Sequence, residues 1–438
     1  MRNRGVRLTM VEILVPVILA LVLGLGAFLF LTPVFGRGAQ SDPGVVRIYS
    51  SVPLPDFDAI NHGIQMAIDE AGGRAGNYRV EFVPLNDAVQ DADGRWRWNT
   101  DAELANARRA VEDPDGMVYI GTYNSGAAKV SIPVLNRVGM AMISPGNTYP
   151  GLTKPGGGNA AEPWIFYPLG VRNYFRVVPA DDLQGAAGAA YARELGVRSV
   201  YVLDDTELYG KGIATIFAQS ARDLGMEVLG GPESIDVRAQ NYSALAQKIV
   251  GLDPDLVYFG GSTPNHPDLV LRDLRNAGYG GTFMGADAIT DDVFAGNVEN
   301  VGAEGLDLYA SVVGLPAPEL SGPGAEWYQR YISRYPDDSA PNFAPFGYEA
   351  ARVAISAIER AGTKDREAIR RAVAETSTDV LNGGHILGEW SFDENGDTSL
   401  VTVSILRLDR RDGINLSWNY EGVMSYDPAT RTWSFRQE

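Results

Sequence analysis

Four short stretches carry polar groups in places where a ligand could use them: Thr122-Tyr123-Asn124-Ser125-Gly126, Ser144-Pro145-Gly146-Asn147-Thr148, Gly260-Gly261-Ser262-Thr263 and Gly285-Ala286-Asp287. Each follows directly on an apolar run, respectively Met117–Gly121, Gly139–Ile143, Leu256–Phe259 and Thr282–Met284. The first two stretches offer hydroxyls and small residues, with Gly146 carrying no side chain to block approach to its backbone N–H. The last ends in a carboxylate. Set face to face, the two pairs complement a zwitterion: hydroxyls and N–H groups for an α-carboxylate, Asp287 for an α-ammonium. Taken singly, each stretch reads as a turn, because Pro-Gly and Gly-Asn mark turns generally. The four together carry the ligand reading.

Such groups need strands to bring them to one edge. From Val45 onward, short apolar runs alternate with stretches of helical spacing. Val45–Tyr49 reads as a strand, Phe57–Ala71 as a helix with Ile60, Ile64, Ala67 and Ile68 on one face, Tyr78–Val83 as a strand and Asp101–Glu112 as a helix. Met117–Gly121 and Gly139–Ile143 follow as strands with a helix between them. The order implies a parallel sheet with helices on both faces. The pattern restarts at Asp181: strands at Ser199–Leu203, Met226–Leu229, Leu256–Phe259 and Thr282–Met284 alternate with helices at Tyr209–Leu224, Tyr242–Gly251 and His266–Ala277. Helices near Glu326–Tyr335, Phe346–Ala361 and Lys364–Glu375 come next, then strand-like pieces such as Leu400–Leu406. The fold class is α/β, with two Rossmann-like lobes, about 45–178 with 312–385 and 179–311 with 386–438. Three crossings join them, near 178–181, 308–312 and 383–390. In such sheets ligands sit beyond the carboxyl ends of the strands, where the four polar stretches lie. Two insertions, 88–98 with Trp96 and Trp98 and 153–171 with Gly156-Gly157-Gly158 and Trp164, read as ordered surface loops.

The chain has 438 residues, enough for two domains, a net charge of −18 and no cysteine. The charge argues against nucleic acid or an anionic membrane surface as partner. The lack of cysteine removes disulfides, thiolate metal sites, a cysteine nucleophile and a lipidated N-terminal cysteine. At the N-terminus, Arg2, Arg4 and Arg7 precede an uncharged run from Ile13 to Phe35. As a helix that run would span roughly 35 Å, enough to cross a bilayer core. We read residues 1–12 as a basic cytoplasmic end, 13–35 as a transmembrane signal anchor, 36–44 as a linker and 45–438 as extracytoplasmic. A removed signal peptide is the alternative, disfavoured by the long apolar core.

Signals for catalysis and metals are weak. The three histidines, His62, His266 and His385, have no second ligand at metal-binding spacing. No G-x-S-x-G elbow and no Walker loop occurs, and the triple glycine does not run from a strand into a helix. Asp393-x-Asn395-x-Asp397 fits a hairpin turn better than a calcium loop. We expect no enzyme activity, no cofactor and no metal.

Ordered along the chain are GIQMAIDEAGG, YIGTYNSGAAKVSIPVLNRVGMAMISPGNT, NYFRVVPADDLQG, VYVLDDTELYGKG, PDLVYFGGSTPNHPDLVLRDLRNAG, FMGADAI and FDENGD. Over about Val45 to Asp397 this set resembles the type I periplasmic binding proteins, in particular the branch that binds leucine, isoleucine, valine and related amino acids. The resemblance implies a hinged two-lobed fold that closes on a ligand and delivers it to the permease subunits of an ABC transporter. It implies that Asn124, Ser125, Gly146, Asn147 and Thr148 hold the ligand carboxylate, that Tyr209 lies beside the ligand, and that Asp287 takes the ammonium. Three positions depart from the pattern. Asp287 is one methylene shorter than the usual glutamate, Ser262 replaces an aromatic, and Asn124 is more polar than the usual small residue. Each implies a wider or more polar site. The same fold also serves ligand-sensing receptor ectodomains, which is the alternative reading. Only about ten residues precede the hydrophobic run, too few for a signalling domain.

Overall fold

The computed structural model describes residues 44–437 apart from Asp93, Glu304, residues 339–342, 382–384, 412–415 and Pro428. The expectations for residues 1–12 and 13–35 and for nearly all of the linker lie outside the described residues. Among the described residues no helix is long and apolar enough to cross a membrane.

The first lobe is built on a sheet of β1 (Val45–Val52), β2 (Arg74–Ala75), β3 (Tyr78–Asn86), β6 (Gly116–Gly121), β7 (Ala141–Ser144) and β8 (Tyr174–Arg176), in the order β2-β3-β1-β6-β7-β8. All of its pairings are parallel except that of the short β2. The insertion at 88–98 forms a separate two-stranded hairpin, β4 (Ala88–Gln90) with β5 (Trp96–Trp98). The central strands are buried on both faces, as their near-continuous apolar runs require. On one face the helix Asp58–Glu70 packs against Ala344–Ala361. Their axes come close because glycine meets backbone on each side: a Cβ on Gly63 would lie 2.2 Å from the Ala344 carbonyl oxygen, and one on Gly347 2.5 Å from that of Ile60. The helices Thr100–Glu112 and Ser125–Asn136 cover the other face.

The second lobe carries an eight-stranded sheet in the order β10-β9-β11-β12-β13-β14-β15-β16. Here β9 is Ser199–Asp204, β10 Glu227–Ser234, β11 Leu256–Gly260, β12 Thr282–Gly285, β13 Leu308–Val313, β14 Val403–Asp409, β15 Ser417–Asp427 and β16 Thr432–Arg436. The first five are parallel and the last three run antiparallel along one side. Apolar cores lie on both faces of this sheet.

Two crossings differ from the sequence expectation. Leu308–Val313 is wholly a strand of the second sheet, paired to β12 and β14, so the chain returns to the first lobe after Val313 rather than within 308–312. Ile386 and Trp390 are buried in the core of the first lobe, where Trp390 Nε1 donates to Glu349 Oε1 at 2.9 Å. Residues 386–400 therefore stay with the first lobe, and the last crossing is the step into β14. The apolar area of a tryptophan, and a buried carboxylate able to accept its N–H, hold that segment in place.

A buried ion pair closes the first lobe beside the hinge. Arg176 is fully buried at the end of β8. Its Nε donates to Asp397 Oδ1 at 2.7 Å, its Nη1 to the carbonyls of Asn147 (3.3 Å) and Tyr149 (3.0 Å), and its Nη2 to Thr153 Oγ1 at 2.5 Å. Removing one partner of a buried pair strands the other charge. Asp397→Ala is therefore expected to cost about 3–5 kcal/mol of folding free energy, measured by denaturant unfolding. A loss under about 1 kcal/mol, the range of surface pairs, would contradict this account.

Candidate functional site

The carboxyl ends of β6 and β7 meet in a dense polar knot. After β6, Thr122 Oγ1 donates to the Asn124 carbonyl at 2.8 Å and shapes the turn. Asn124 then stands at the N-cap of the helix Ser125–Asn136 without a side-chain cap bond, and it lines the cleft between the lobes. Ser125 is buried in the first turn, where its Oγ accepts the Tyr149 amide at 3.3 Å. After β7, Ser144 Oγ accepts the amides of Gly146 (3.2 Å) and Asn147 (2.8 Å) and donates to the Thr122 carbonyl at 3.1 Å. Both N–H groups of the Asn147 side chain are used, Nδ2 donating to Thr122 Oγ1 and the Tyr123 carbonyl, and Oδ1 accepts the Tyr174 hydroxyl.

These bonds correct part of the sequence reading. The Gly146 amide is not left open to an anion, because Ser144 already binds it. The lack of a side chain at Gly146 serves packing instead, since a Cβ there would lie 2.9 Å from the Tyr123 ring. Asn147 ties β6, β7 and β8 together and has no side-chain N–H to spare. Thr148, buried, presents its carbonyl to the Asp181 amide at 2.8 Å across the first crossing.

On the second lobe Asp287 begins a single helical turn after β12 and is 5% exposed. The hydroxyl of Tyr209, half-buried on the helix Leu208–Asp223, donates to Asp287 Oδ1 at 2.5 Å. Burial pushes the Asp287 carboxyl up to about 6, against hydrogen bonds from Tyr209 and Gln184 that pull it down. Sequence reasoning missed the residue beside it. Asp181, first residue of the helix Asp181–Glu194, is fully buried; among the described residues no hydrogen bond of ordinary length reaches either carboxylate oxygen, although the Thr148 hydroxyl lies close enough to pull the carboxyl down. Burial first, then the neighbouring Asp287 charge, raise its carboxyl well above the usual range. Gln184 Oε1, Tyr258 Oη and Ser311 Oγ are likewise buried and unpartnered. The charges of Asp181 and Asp287 both act on the Tyr209 and Tyr258 hydroxyls, so these groups lie near one another in a largely buried polar cell. Two buried carboxylates sit there, and the nearby cation, Arg176, is engaged with Asp397. Buried carboxylates call for a cation or for several donors, and an ammonium supplies both. The signal for Asp181 lay in VVPADD, where an acid in the first turn of a helix reads equally well as a complement to the helix dipole.

Outside this cell a cleft of about 580 Å³ opens between the lobes. Asn124 and Ser262 line it, together with Phe57, Tyr123, Trp98 and Ala288, whereas Ser125, Thr148, Tyr209 and Asp287 lie deeper. The Tyr123 ring stacks on Phe57 at 3.6 Å and meets Phe343 edge-on at 5.1 Å. Burial, then the charges of Asp287 and Asp291, raise its hydroxyl. Ser262 is fixed by its amide to Asp205 Oδ2 at 3.0 Å and by Asn265 Nδ2 at 3.3 Å. The hairpin β4–β5 spans the mouth. Arg97 donates to Asn265 Oδ1 and, at 2.6 Å, to the Pro264 carbonyl, and Trp98 Nε1 donates to Glu207 Oε2 at 3.2 Å. The lobes are thus in contact around the cleft, and the hairpin is a strap across it.

With this geometry the comparisons with known proteins can be weighed. The family described as periplasmic binding protein matches residues 50–409. The chain belongs to that family. A Leu/Ile/Val-binding protein homolog 2 of Brucella abortus is 26% identical over 368 residues, covering 83% of this chain and 88% of that protein. A leucine-, isoleucine-, valine-, threonine- and alanine-binding protein of Pseudomonas aeruginosa is 28% identical over 341 residues, covering 76% and 81%. The crystal structure of a leucine-binding protein from Thermotoga maritima superposes with a TM-score of 0.71 at 25% identity, over 88% of this chain and 100% of that one. The type I periplasmic-binding fold, with its domain outside the cytoplasm, is therefore this chain's own. Members of the family are solute-binding components of transporters rather than enzymes, and so is this one.

Two outcomes are expected of the periplasmic binding protein. Because the Asp287 carboxyl is raised from 3.8 to about 6 in the fold, the folded state holds a proton that the unfolded state releases between about pH 4 and 6. Its contribution therefore lowers stability as pH rises through that window, by about 3 kcal/mol at most, and is flat above it. In ligand-free protein, Asp287→Asn should remove that fall, read from denaturant unfolding at pH 4 to 7. Identical pH profiles for the two proteins would refute the raised carboxyl. Arg97→Ala should loosen the strap. Hydrogen bonds to a charged group are worth about 1.5–3 kcal/mol, so ligand dissociation should speed up roughly tenfold or more. An unchanged dissociation rate in stopped-flow displacement would leave the strap without a role in closure.

Proposed function

We propose that the protein captures an amino acid or a closely similar zwitterion outside the cytoplasm and hands it to the permease subunits of an ABC transporter. The observation that carries this reading is the buried pair Asp181 and Asp287, two carboxylates in one largely buried polar cell with no hydrogen bond of ordinary length to Asp181. The ligand ammonium lies between them, with Tyr209 holding Asp287 in position. The ligand carboxylate lies against Ser125, Thr148 and the first turn of the helix Ser125–Asn136, whose free N–H groups favour an anion. The side chain points into the outer cleft toward Tyr123, Asn124 and Ser262. The leucine-, isoleucine- and valine-binding names of the relatives support an amino-acid ligand. Asn124 and Ser262, polar and on the cleft wall, favour a side chain that is larger or more polar than leucine's. The N-terminal run 13–35 holds the domain to the membrane as an uncleaved anchor, with residues 1–12 in the cytoplasm.

A thermal-shift screen of amino acids, amides and small carboxylates identifies the ligand, since one present at ~100 times its Kd stabilises by about 2.7 kcal/mol. Calorimetric titration with that ligand then tests the site. Losing one partner of a desolvated charge pair costs about 2–5 kcal/mol, so Asp287→Ala should weaken binding roughly 30-fold or more. Asp181→Asn should weaken it as well. Ser125→Ala should cost about 1 kcal/mol, because backbone N–H groups still hold the carboxylate. Wild-type affinity in both aspartate variants would mean that the ligand is not held by an amine in this cell.

A further inference from the structure

The outer cleft, of about 580 Å³, is lined by seven carboxylates against two arginines. Both arginines are turned to other partners. Arg95 Nη1 donates to the Pro264 carbonyl at 3.3 Å, and Arg97 is shared between Asp91, Asn265 and that same carbonyl. Some of the acids are engaged as well: Asp338 accepts the Tyr331 hydroxyl and bonds His62 Nδ1 at 2.8 Å, and Glu207 accepts Trp98 Nε1. Asp56 of the first lobe and Asp291 of the second stand apart from these. Asp291 is the N-cap of the helix Asp292–Asn300, where it accepts the Phe294 amide at 2.7 Å and the Thr263 hydroxyl at 2.6 Å. Among the described residues no basic side chain pairs with it, and no hydrogen bond or ion pair engages the Asp56 carboxylate. Partial burial raises both carboxyls, and the Asp56 charge raises that of Asp291 further, so the two lobes set like charges against each other across the cleft.

On a chain of net charge −18 an acidic surface is ordinary. Two carboxylates from opposite lobes in one cavity, with no basic side chain between them, are not, because contact between the lobes holds like charges near each other. The cavity also runs on from the inner cell. Ala288 lines it and follows directly on Asp287, and Asn124 lines it and directly precedes Ser125. Asp287 and Asp291 are separated by the single turn Asp287–Ile289 and one further step, no more than roughly 10 Å of backbone. The side chain of a lysine or an arginine covers that reach. The Tyr123 hydroxyl lies within the field of both carboxylates. Aromatic rings complete the wall, with Phe57, Tyr123, Trp96 and Trp98 all facing the cavity. Carboxylates beside aromatic rings attract a cation, whereas an aliphatic side chain filling the cleft would take water from Asp56 and Asp291 and give nothing back.

We propose that the ligand carries a second cation: it is an α-amino acid whose side chain ends in an ammonium or guanidinium group, held in the outer cleft between Asp56 and Asp291 and beside the rings of Phe57 and Tyr123. This rests on the amino-acid reading of the inner cell, in which Asp181 and Asp287 take the α-ammonium. The outer pair then selects by charge. A cationic side chain offsets the repulsion that contact between the lobes sets up, and a neutral one of the same length leaves it in place.

Matched ligands separate charge from size. Arginine and citrulline differ by a guanidinium against a neutral ureido group, and lysine and norleucine by an ammonium against a methyl group. Calorimetric titration of the full-length protein with all four should show arginine or lysine bound roughly tenfold or more tighter than its neutral counterpart. Asp56→Asn and Asp291→Asn combined in one chain should bring that ratio down to within about threefold, since the shape of the wall is kept and its charge is lost. Asparagine serves as an N-cap as well as aspartate does, so the variant keeps the helix Asp292–Asn300, and its denaturant unfolding checks this. Citrulline and norleucine bound as tightly as arginine and lysine would overturn the second cation and leave the amino-acid reading standing. A wild-type ratio in the double variant would overturn the placement between Asp56 and Asp291. Failure of every α-amino acid to bind, neutral and basic alike, would instead bring down the reading of the inner cell, and this inference with it.

Discussion

A guanidinium with no exposed surface has to be satisfied on every side, and Arg176 meets that demand by fixing the loops around it. Its donors reach the carbonyls of Asn147 and Tyr149, the hydroxyl of Thr153 and the carboxylate of Asp397. Thr148 sits between the two carbonyls and has no freedom to turn away from the cleft. The Thr148 carbonyl in turn receives the Asp181 amide, so the first residue of the second lobe's opening helix is tied to the same knot. Burial raises the Asp397 carboxyl, yet Arg176 and Lys154 beside it hold it below its usual range, so the pair stays charged. One buried cation thereby fixes the loop after β7, where the proposed site holds the ligand carboxylate, together with the first crossing between the lobes.

The second lobe presents the opposite problem. Asp181 and Asp287 share a cell whose remaining members, Gln184, Tyr209, Tyr258 and Ser311, are neutral. With the lobes in contact, both carboxylates are out of water, which is why both are raised. That arrangement is unfavourable until a cation enters or a proton is taken up. An ammonium relieves it in the closed state far more than in an open state where water solvates the carboxylates. The difference in affinity between the two states is what allows a ligand to drive closure. The strap formed by Arg97 and Trp98 adds contacts to the second lobe across the mouth.

The central parallel strands and most helices were legible because buried parallel strands read as short unbroken apolar runs and their covering helices as one-sided stripes. Asp287 stood out as a candidate because an acid directly after an apolar strand has no evident structural duty; the structure adds that it is buried and bonded to Tyr209. The state of the Gly146 amide was not, since nothing local shows that Ser144 Oγ, two residues earlier, claims it. Asn147 has the same difficulty: its three partners come from β6 and β8, distant in sequence. Asp181 was hidden by an equally good local role at a helix start. β15 and the edge strand β16, largely half-exposed, lack the apolar run that marked the central ones. The last crossing was misplaced for a related reason: only the packed fold shows Trp390 bound to Glu349 in the first lobe.

On the proposed reading, the distribution of charge also favours one orientation of a zwitterion. A ligand entering reversed would put its carboxylate against Asp181 and Asp287, where no cation is free to offset it, and its ammonium against the N-terminus of the helix Ser125–Asn136. Both ends would be repelled, and like-charge contact in a desolvated site costs several kcal/mol. The outer cleft repeats the bias, with Asp56, Asp291 and Asp292 on its walls, while the two arginines that line it, Arg95 and Arg97, both donate to the Pro264 carbonyl of the second lobe and Arg97 is also held by Asp91. Selection at this site therefore works by exclusion as much as by attraction: a plain carboxylate gains the hydroxyls of the first lobe but leaves the paired aspartates uncompensated. The ammonium decides whether closure is favourable, and the carboxylate decides how the ligand lies when it happens.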